Sequence, residues 1–66
     1  MDISVNGESR QVPDGYTAEQ LVEAMGLTGK RIAMEVNQDI VPRSTYGSYT
    51  FNLGDKIEIV HAVGGG

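Results

Sequence analysis

Apolar and polar residues alternate from the start of the chain. Ile3 and Val5 fall on one face of an extended segment over residues 1–5, with Asp2 and Ser4 on the other. Asn6-Gly7 follows, and because both residues tolerate positive φ it is the strongest short signal for a tight hairpin. The return strand is expected over roughly residues 9–12. A two-residue turn sets Arg10 on the face of Val12, where an arginine has to snorkel to water. Pro13 then ends the pairing, and Asp14-Gly15 turns the chain.

The next pattern is helical. Thr17-Ala18-Glu19-Gln20 has the form of a capping box, with Thr17 as N-cap and Gln20 reaching back from the third helical position. Tyr16 and Leu21 stand where a hydrophobic staple lies. Leu21, Val22 and Met25 make one apolar stripe, and Gly26 is placed to end the helix.

Beyond the loop Thr28-Gly29-Lys30-Arg31 the period returns to two. Ile32, Met34 and Val36 alternate with Ala33, Glu35 and Asn37. Asn37-Gln38-Asp39 turns the chain into Ile40-Val41, which Pro42 stops. The segment from Arg43 to Asn52 reads as a polar, irregular crossover with a short helical turn, carrying Tyr46, Tyr49 and Phe51. Leu53-Gly54-Asp55 is another turn, and residues 56–63 form the last strand with Ile57 and Ile59 inward.

A hairpin cannot bury its apolar face alone, and one amphipathic helix lying across a mixed sheet is the economical solution. The expected class is therefore α+β: a β-grasp, or ubiquitin-like roll, a mixed sheet with one main helix packed across it. First and last strands should lie parallel, side by side at the sheet centre. The expected division is a β-grasp domain over residues 1–63 and a flexible C-terminal glycine tail over 64–66.

Composition narrows the partners. Sixty-six residues hold one core, and 39% hydrophobic with 21% charged residues describes a folded chain, not a disordered one. A domain this small buries only about 60% of the surface its unfolded chain exposes, so modest stability is expected. No stretch approaches the roughly 18 apolar residues of a membrane span, and no signal-peptide pattern is present, which points to the cytoplasm. Nine acidic residues against five basic ones give a net charge of −4 and argue against nucleic acid and anionic membranes as partners. An acidic surface suits a basic protein partner, and also serves simply to keep a domain soluble.

Conventional catalysis finds little support. There is no cysteine, which removes thiolate nucleophiles, disulfides and cysteine metal sites together. His61 is the lone histidine, with no nucleophile motif beside it and no carboxylate cluster at metal-ligand spacing. A phosphate cradle needs its glycines between a strand and a helix, whereas Gly64-Gly65-Gly66 follow the last strand.

Such a run is ordinarily a frayed tail or a cloning scar. It also fits a different use. Three residues without side chains thread a slot that any Cβ would block, reach about 10 Å when extended, and present only the α-carboxylate. With a usual pKa of about 3.3–3.7 that group is ionised at neutral pH and inert as an electrophile. Adenylation by ATP converts it to a mixed anhydride. A sulfur nucleophile then yields a terminal thiocarboxylate, while a lysine amine yields an amide link to another protein. Either way the chain is a carried substrate and its partners are the catalysts.

Three segments carry a resemblance: Asn37-Gln38-Asp39-Ile40-Val41-Pro42-Arg43, Gly54-Asp55-Lys56-Ile57-Glu58-Ile59-Val60, and Val63-Gly64-Gly65-Gly66. Together with the Asn6-Gly7 hairpin and the helix around Leu21 and Val22, they resemble the ThiS family, the sulfur carrier proteins of thiazole synthesis. The Asn-x-x-Ile-Val-Pro-Arg segment followed by the glycine tail discriminates best; the Gly-Asp segment also resembles the small subunit of molybdopterin synthase. The resemblance implies a carrier that is not itself an enzyme and binds no cofactor. Its terminal glycine, here Gly66, would be adenylated by a ThiF-like activating enzyme using ATP and Mg. A sulfur-delivery enzyme supplied by a cysteine desulfurase route would complete the thiocarboxylate. A ThiG-like thiazole synthase would take the sulfur for the thiazole ring of thiamin. Gly64 and Gly65 would form the threaded tail. Arg43 matches the motif arginine and is expected to order the crossover by a hydrogen bond or ion pair. Two positions depart from the family pattern: Arg10, where an apolar residue is more usual, and the third glycine.

Docking requires a surface near the tail. Val60 and Ala62 should lie on the sheet face opposite Ile57 and Ile59, beside Ala33, and these three are the candidate partner surface. Isolated exposed apolar residues are also ordinary. The competing readings are a related sulfur carrier for molybdopterin or another product, a ubiquitin-like modifier of protein lysines, and a plain interaction module with a frayed end.

Overall fold

The computed structural model describes residues 1–61. In chain order these form β1 (Asp2–Val5), β2 (Glu8–Gln11), α1 (Ala18–Ala24), β3 (Ile32–Val36), β4 (Asp39–Val41), a 3-10 turn (Arg43–Thr45) and β5 (Lys56–His61). The strands make one sheet in the order β2-β1-β5-β3-β4. As expected from their shared alternation, β1 and β5 are parallel neighbours, with β5 at the centre and antiparallel to β3. The alternating apolar residues face inward as expected: Ile3, Val5, Ile32, Met34, Val36, Ile57 and Ile59 join Ala18, Leu21 and Val22 of α1 in one core. Leu21, Met34 and Ile57 are its fully buried large side chains, each contributing about 1.5–3 kcal/mol relative to exposure.

Both hairpins close with left-handed residues. Asn6 and Gly7 have φ of 52° and 85°, and Asn37 and Gln38 have φ of 51° and 73°, the signature of turns whose twist matches that of paired strands. The first turn is so tight that pairing resumes at once, Val5 opposite Glu8. The second strand therefore runs over Glu8–Gln11 and not 9–12. Val12 is buried just beyond it and exchanges two hydrogen bonds with Met1, at 2.9 and 2.6 Å.

Arg10 pairs with Ile3 and so points to the core side, as the turn length requires. Its escape to water is incomplete. Nη1 is buried with no hydrogen-bond partner, beside a shallow cavity of about 200 Å³ that Val5 and Met25 also line.

α1 is specified locally at both ends. The Gln20 amide donates to Thr17 Oγ1 at 3.1 Å while the Thr17 amide donates to Gln20 Oε1 at 2.9 Å, completing the capping box. At the other end Gly26 takes φ of 71°. Its amide reaches Glu23 O at 3.0 Å and the Leu27 amide reaches Val22 O at 2.9 Å, a Schellman closure.

The crossover departs from its polar reading. Tyr46 and Phe51 are buried, and half-buried Tyr49 meets Phe51 edge-on with centroids 5.8 Å apart. Its backbone also completes the helix start: Ala18 N–H donates to Tyr49 O at 2.9 Å and Glu19 N–H to Tyr46 O at 3.1 Å. These donors have no partner inside a helix, so the crossover supplies what α1 lacks.

Candidate functional site

β5 is the strand that leads toward the glycines, and two asparagines fix it. Asn6 Nδ2 donates to Ile59 O at 3.2 Å, and Ile59 N–H donates to Asn6 Oδ1 at 2.8 Å. The side chain thus continues the parallel ladder one step past the end of β1. On the other flank, Asn37 N–H donates to Lys56 O at 2.8 Å and Lys56 N–H to Asn37 Oδ1 at 3.0 Å. Asn37 Nδ2 donates in turn to Asp55 Oδ1 at 3.0 Å. The other Asp55 oxygen accepts the Asn52 amide at 2.8 Å. Asp55 is buried, and these donors satisfy its charge in place of water.

α1 covers one face of the sheet and leaves the other open. Register places Val60 directly opposite Ala33 on that open face, as the alternation predicts. Val60 is 59% exposed. Ala62, the third member of the expected surface, and Gly64, Gly65 and Gly66 lie outside the described residues, as does the end of the strand expected to reach residue 63.

Three neighbours escaped the sequence reading. Glu35 stands opposite Glu58, and Ile40 stands opposite Glu35 on its other side. Ile40 is 66% exposed. A two-residue turn at Asn37-Gln38 would have given the Glu35–Ile40 part of this row in advance, because it pairs Val36 with Asp39 and so Glu35 with Ile40. His61 is exposed and pairs with Ile32. Among the described residues no group of three or more His, Asp or Glu side chains is placed to hold a metal ion.

Arg43 opens the 3-10 turn with its side chain exposed. Order in this turn comes from main-chain bonds and one hydroxyl, not from the expected Arg43 side chain: the Tyr46 amide reaches Arg43 O at 3.1 Å, and both the amide and the hydroxyl of Thr45 reach Pro42 O, at 2.9 and 2.7 Å. Burial raises the pKa of the Tyr46 phenol, an effect the charge of Arg43 partly opposes.

The sequence profile of the ThiS family matches residues 3–66, a span that includes all three terminal glycines. The chain belongs to the ThiS family. Its five-stranded mixed sheet with a single α-helix is the β-grasp fold of ThiS structures. The crystal structure of the thiamine biosynthesis protein ThiS from Geobacter metallireducens superimposes with a TM-score of 0.84 at 25% identity, covering 100% of both chains. The sulfur carrier protein ThiS of Escherichia coli is 30% identical over 66 residues, 100% of each chain. A thiazole synthase of Paramagnetospirillum magneticum is 41% identical over 66 residues. That match takes in all of this ThiS-family chain but only 20% of the synthase, so the chain spans about one fifth of that relative's length. Among the described residues no helix is long and apolar enough to cross a membrane.

Proposed function

We propose that this protein is a sulfur carrier for the thiazole ring of thiamin, acting as a co-substrate of other enzymes and not as a catalyst. Gly66 is the residue modified. Its carboxylate oxygen attacks the α-phosphorus of ATP, pyrophosphate leaves, and an acyl adenylate remains. A hydrosulfide ion released by a sulfur-delivery enzyme then attacks the carbonyl carbon, the acyl–phosphate bond breaks with AMP leaving, and loss of the S–H proton to solvent gives the thiocarboxylate. ATP and Mg belong to the ThiF-like activating enzyme; the carrier itself binds no cofactor.

The observation that carries this reading is the family match through Gly66, combined with likeness over its full length to a sulfur carrier protein. The geometry supports it: β5 is hydrogen-bonded on both edges, so the strand leading to Gly64 and Gly65 is rigidly mounted. Ala33, Val60 and Ala62 form the surface on which the activating enzyme docks. A ThiG-like thiazole synthase is the sulfur acceptor, a pairing supported by the thiazole synthase that contains a similar segment. The cytoplasm, where those partners and ATP meet, is the proposed location.

The test is intact mass after incubation with ATP, magnesium, a sulfur source and an activating enzyme of the thiazole pathway. The expected result is the gain of one oxygen replaced by sulfur, localised to Gly66 and abolished by deleting Gly65-Gly66. No gain, with that enzyme active on another carrier, rejects the reading.

A further inference from the structure

Asn6 is a chemically fragile residue that the fold restrains. It is the one asparagine followed by glycine, so no side chain shields the next amide; Asn37 and Asn52 precede Gln38 and Leu53. The Gly7 main-chain nitrogen can therefore attack Cγ of Asn6. The Cγ–Nδ2 bond breaks, ammonia leaves with the Gly7 amide proton, and a five-membered succinimide remains. Water opens that ring at either carbonyl, giving aspartate or isoaspartate at position 6. Both residues are exposed, so burial does not protect them.

Pairing does. Ile59 engages both ends of the Asn6 amide: its carbonyl accepts from Nδ2 at 3.2 Å and its N–H donates to Oδ1 at 2.8 Å. β5 lies on one side of β1 and β2 on the other. The Asn6 side chain is drawn toward β5, while the turn carries Gly7 the other way, into the pairing of Glu8 with Val5. Ring closure needs Cγ brought to the Gly7 nitrogen, which breaks both bonds to Ile59. Neither product restores them. Aspartate has acceptors but no N–H for the Ile59 carbonyl. Isoaspartate adds a methylene to the main chain of a turn whose geometry sets the register of the hairpin.

We propose that Asn6 is a self-modification site gated by β5. It is closed while Ile59 holds its amide, open when that end of the strand detaches, and irreversible once used. Conversion of Asn6 is thus a permanent record of a lost β5 pairing, and it does not depend on whether the chain carries sulfur.

The experiment incubates the full-length protein at mildly alkaline pH over a series of urea concentrations, from none to beyond the unfolding midpoint. Peptide mass mapping reads the replacement of the side-chain NH2 by OH at residue 6. Asp14-Gly15 can isomerise by the same route but without change of mass, so it does not contribute. Hydrogen exchange of the Ile59 amide is followed under the same conditions. The expected result is conversion at least about tenfold slower in the native protein than in the unfolded one. Its rate should rise with urea in parallel with Ile59 exchange, while Asn37 and Asn52 stay intact over the same period. Isolated converted protein should show a lower thermal midpoint and faster exchange at Ile59 than the parent. A native rate within about twofold of the unfolded rate overturns the proposal. So does conversion that ignores urea while Ile59 exchange quickens, and so does converted protein with the parent's midpoint and Ile59 protection.

Discussion

The side-chain amide of Asn6 pairs with both the N–H and the C=O of Ile59, 53 residues away, in the manner of a strand residue's backbone. A turn residue thereby extends the sheet. Replacing it removes two hydrogen bonds, leaves two Ile59 groups without those partners, and asks another residue to hold φ of 52°. Asn6→Ala should lower stability by about 2–3 kcal/mol in urea titrations. Amide exchange at Ile59 should quicken more than at Met34. A loss below about 0.5 kcal/mol would show that the amide pairing is incidental.

Gln38 is the weak residue of the second turn. It holds φ of 73° without the freedom of glycine or the local hydrogen bonding that eases asparagine into this region. Gln38→Gly should raise stability by about 0.5–1 kcal/mol, read as a higher urea midpoint at unchanged slope. Gln38→Val, which is β-branched, should lower it.

Arg10 offers the opposite experiment to a typical core deletion. Its Nη1 is buried and unpaired, and it borders Val5 and Met25. Arg10→Leu should stabilise the fold by about 1 kcal/mol, since an unsatisfied donor is removed and an apolar group takes its place. A destabilised Arg10→Leu with an unaltered fold would mean that the arginine stem packs better than leucine.

Two phenols make the fold sensitive to alkali. Burial raises the pKa of Tyr46 above its ordinary 10.0, and burial followed by the charges of Asp55 and Asp39 raises that of Tyr49. A raised folded-state value favours the neutral phenol in the native protein. That stabilisation is complete below the unfolded value and is lost as pH climbs through the folded one. Thermal midpoints should therefore fall above about pH 10. The fall should be shallower in Tyr46→Phe, and a curve identical to the parent's would assign the alkaline loss to other groups.

Legibility followed the range of the interactions. The capping box, the Gly26 closure and the Asn6-Gly7 turn are each settled within a few residues, and each was readable. The alternation of Ile32–Val36 and of Ile57 with Ile59 placed Ala33 and Val60 on one face. The aromatics of the crossover were not readable as core. Tyr46, Tyr49 and Phe51 sustain neither a period of two nor of 3.6, and their backbone partners, the first amides of α1 for Tyr46 and Tyr49 and the Tyr16 carbonyl for Phe51, lie some 30 residues back. Asp55 was likewise opaque, because what permits its burial is Asn37, 18 residues away. The row Glu58, Glu35, Ile40 required a register that hydrophobic alternation alone does not supply.

The central place of β5 has a consequence for how the molecule comes together. Among the described residues the β1–β2 and β3–β4 hairpins have no pairing with each other, and β5 is the strand that joins them. Until it inserts, the chain is two separate ribbons, and isolated hairpins are marginal in water. Folding is thus expected to be all-or-none, with its long-range step last and slow. The same strand leads to the terminal glycines. On the proposed carrier reading, an enzyme that recognises this sheet receives only chains that have finished folding, so the topology itself proofreads what would be loaded.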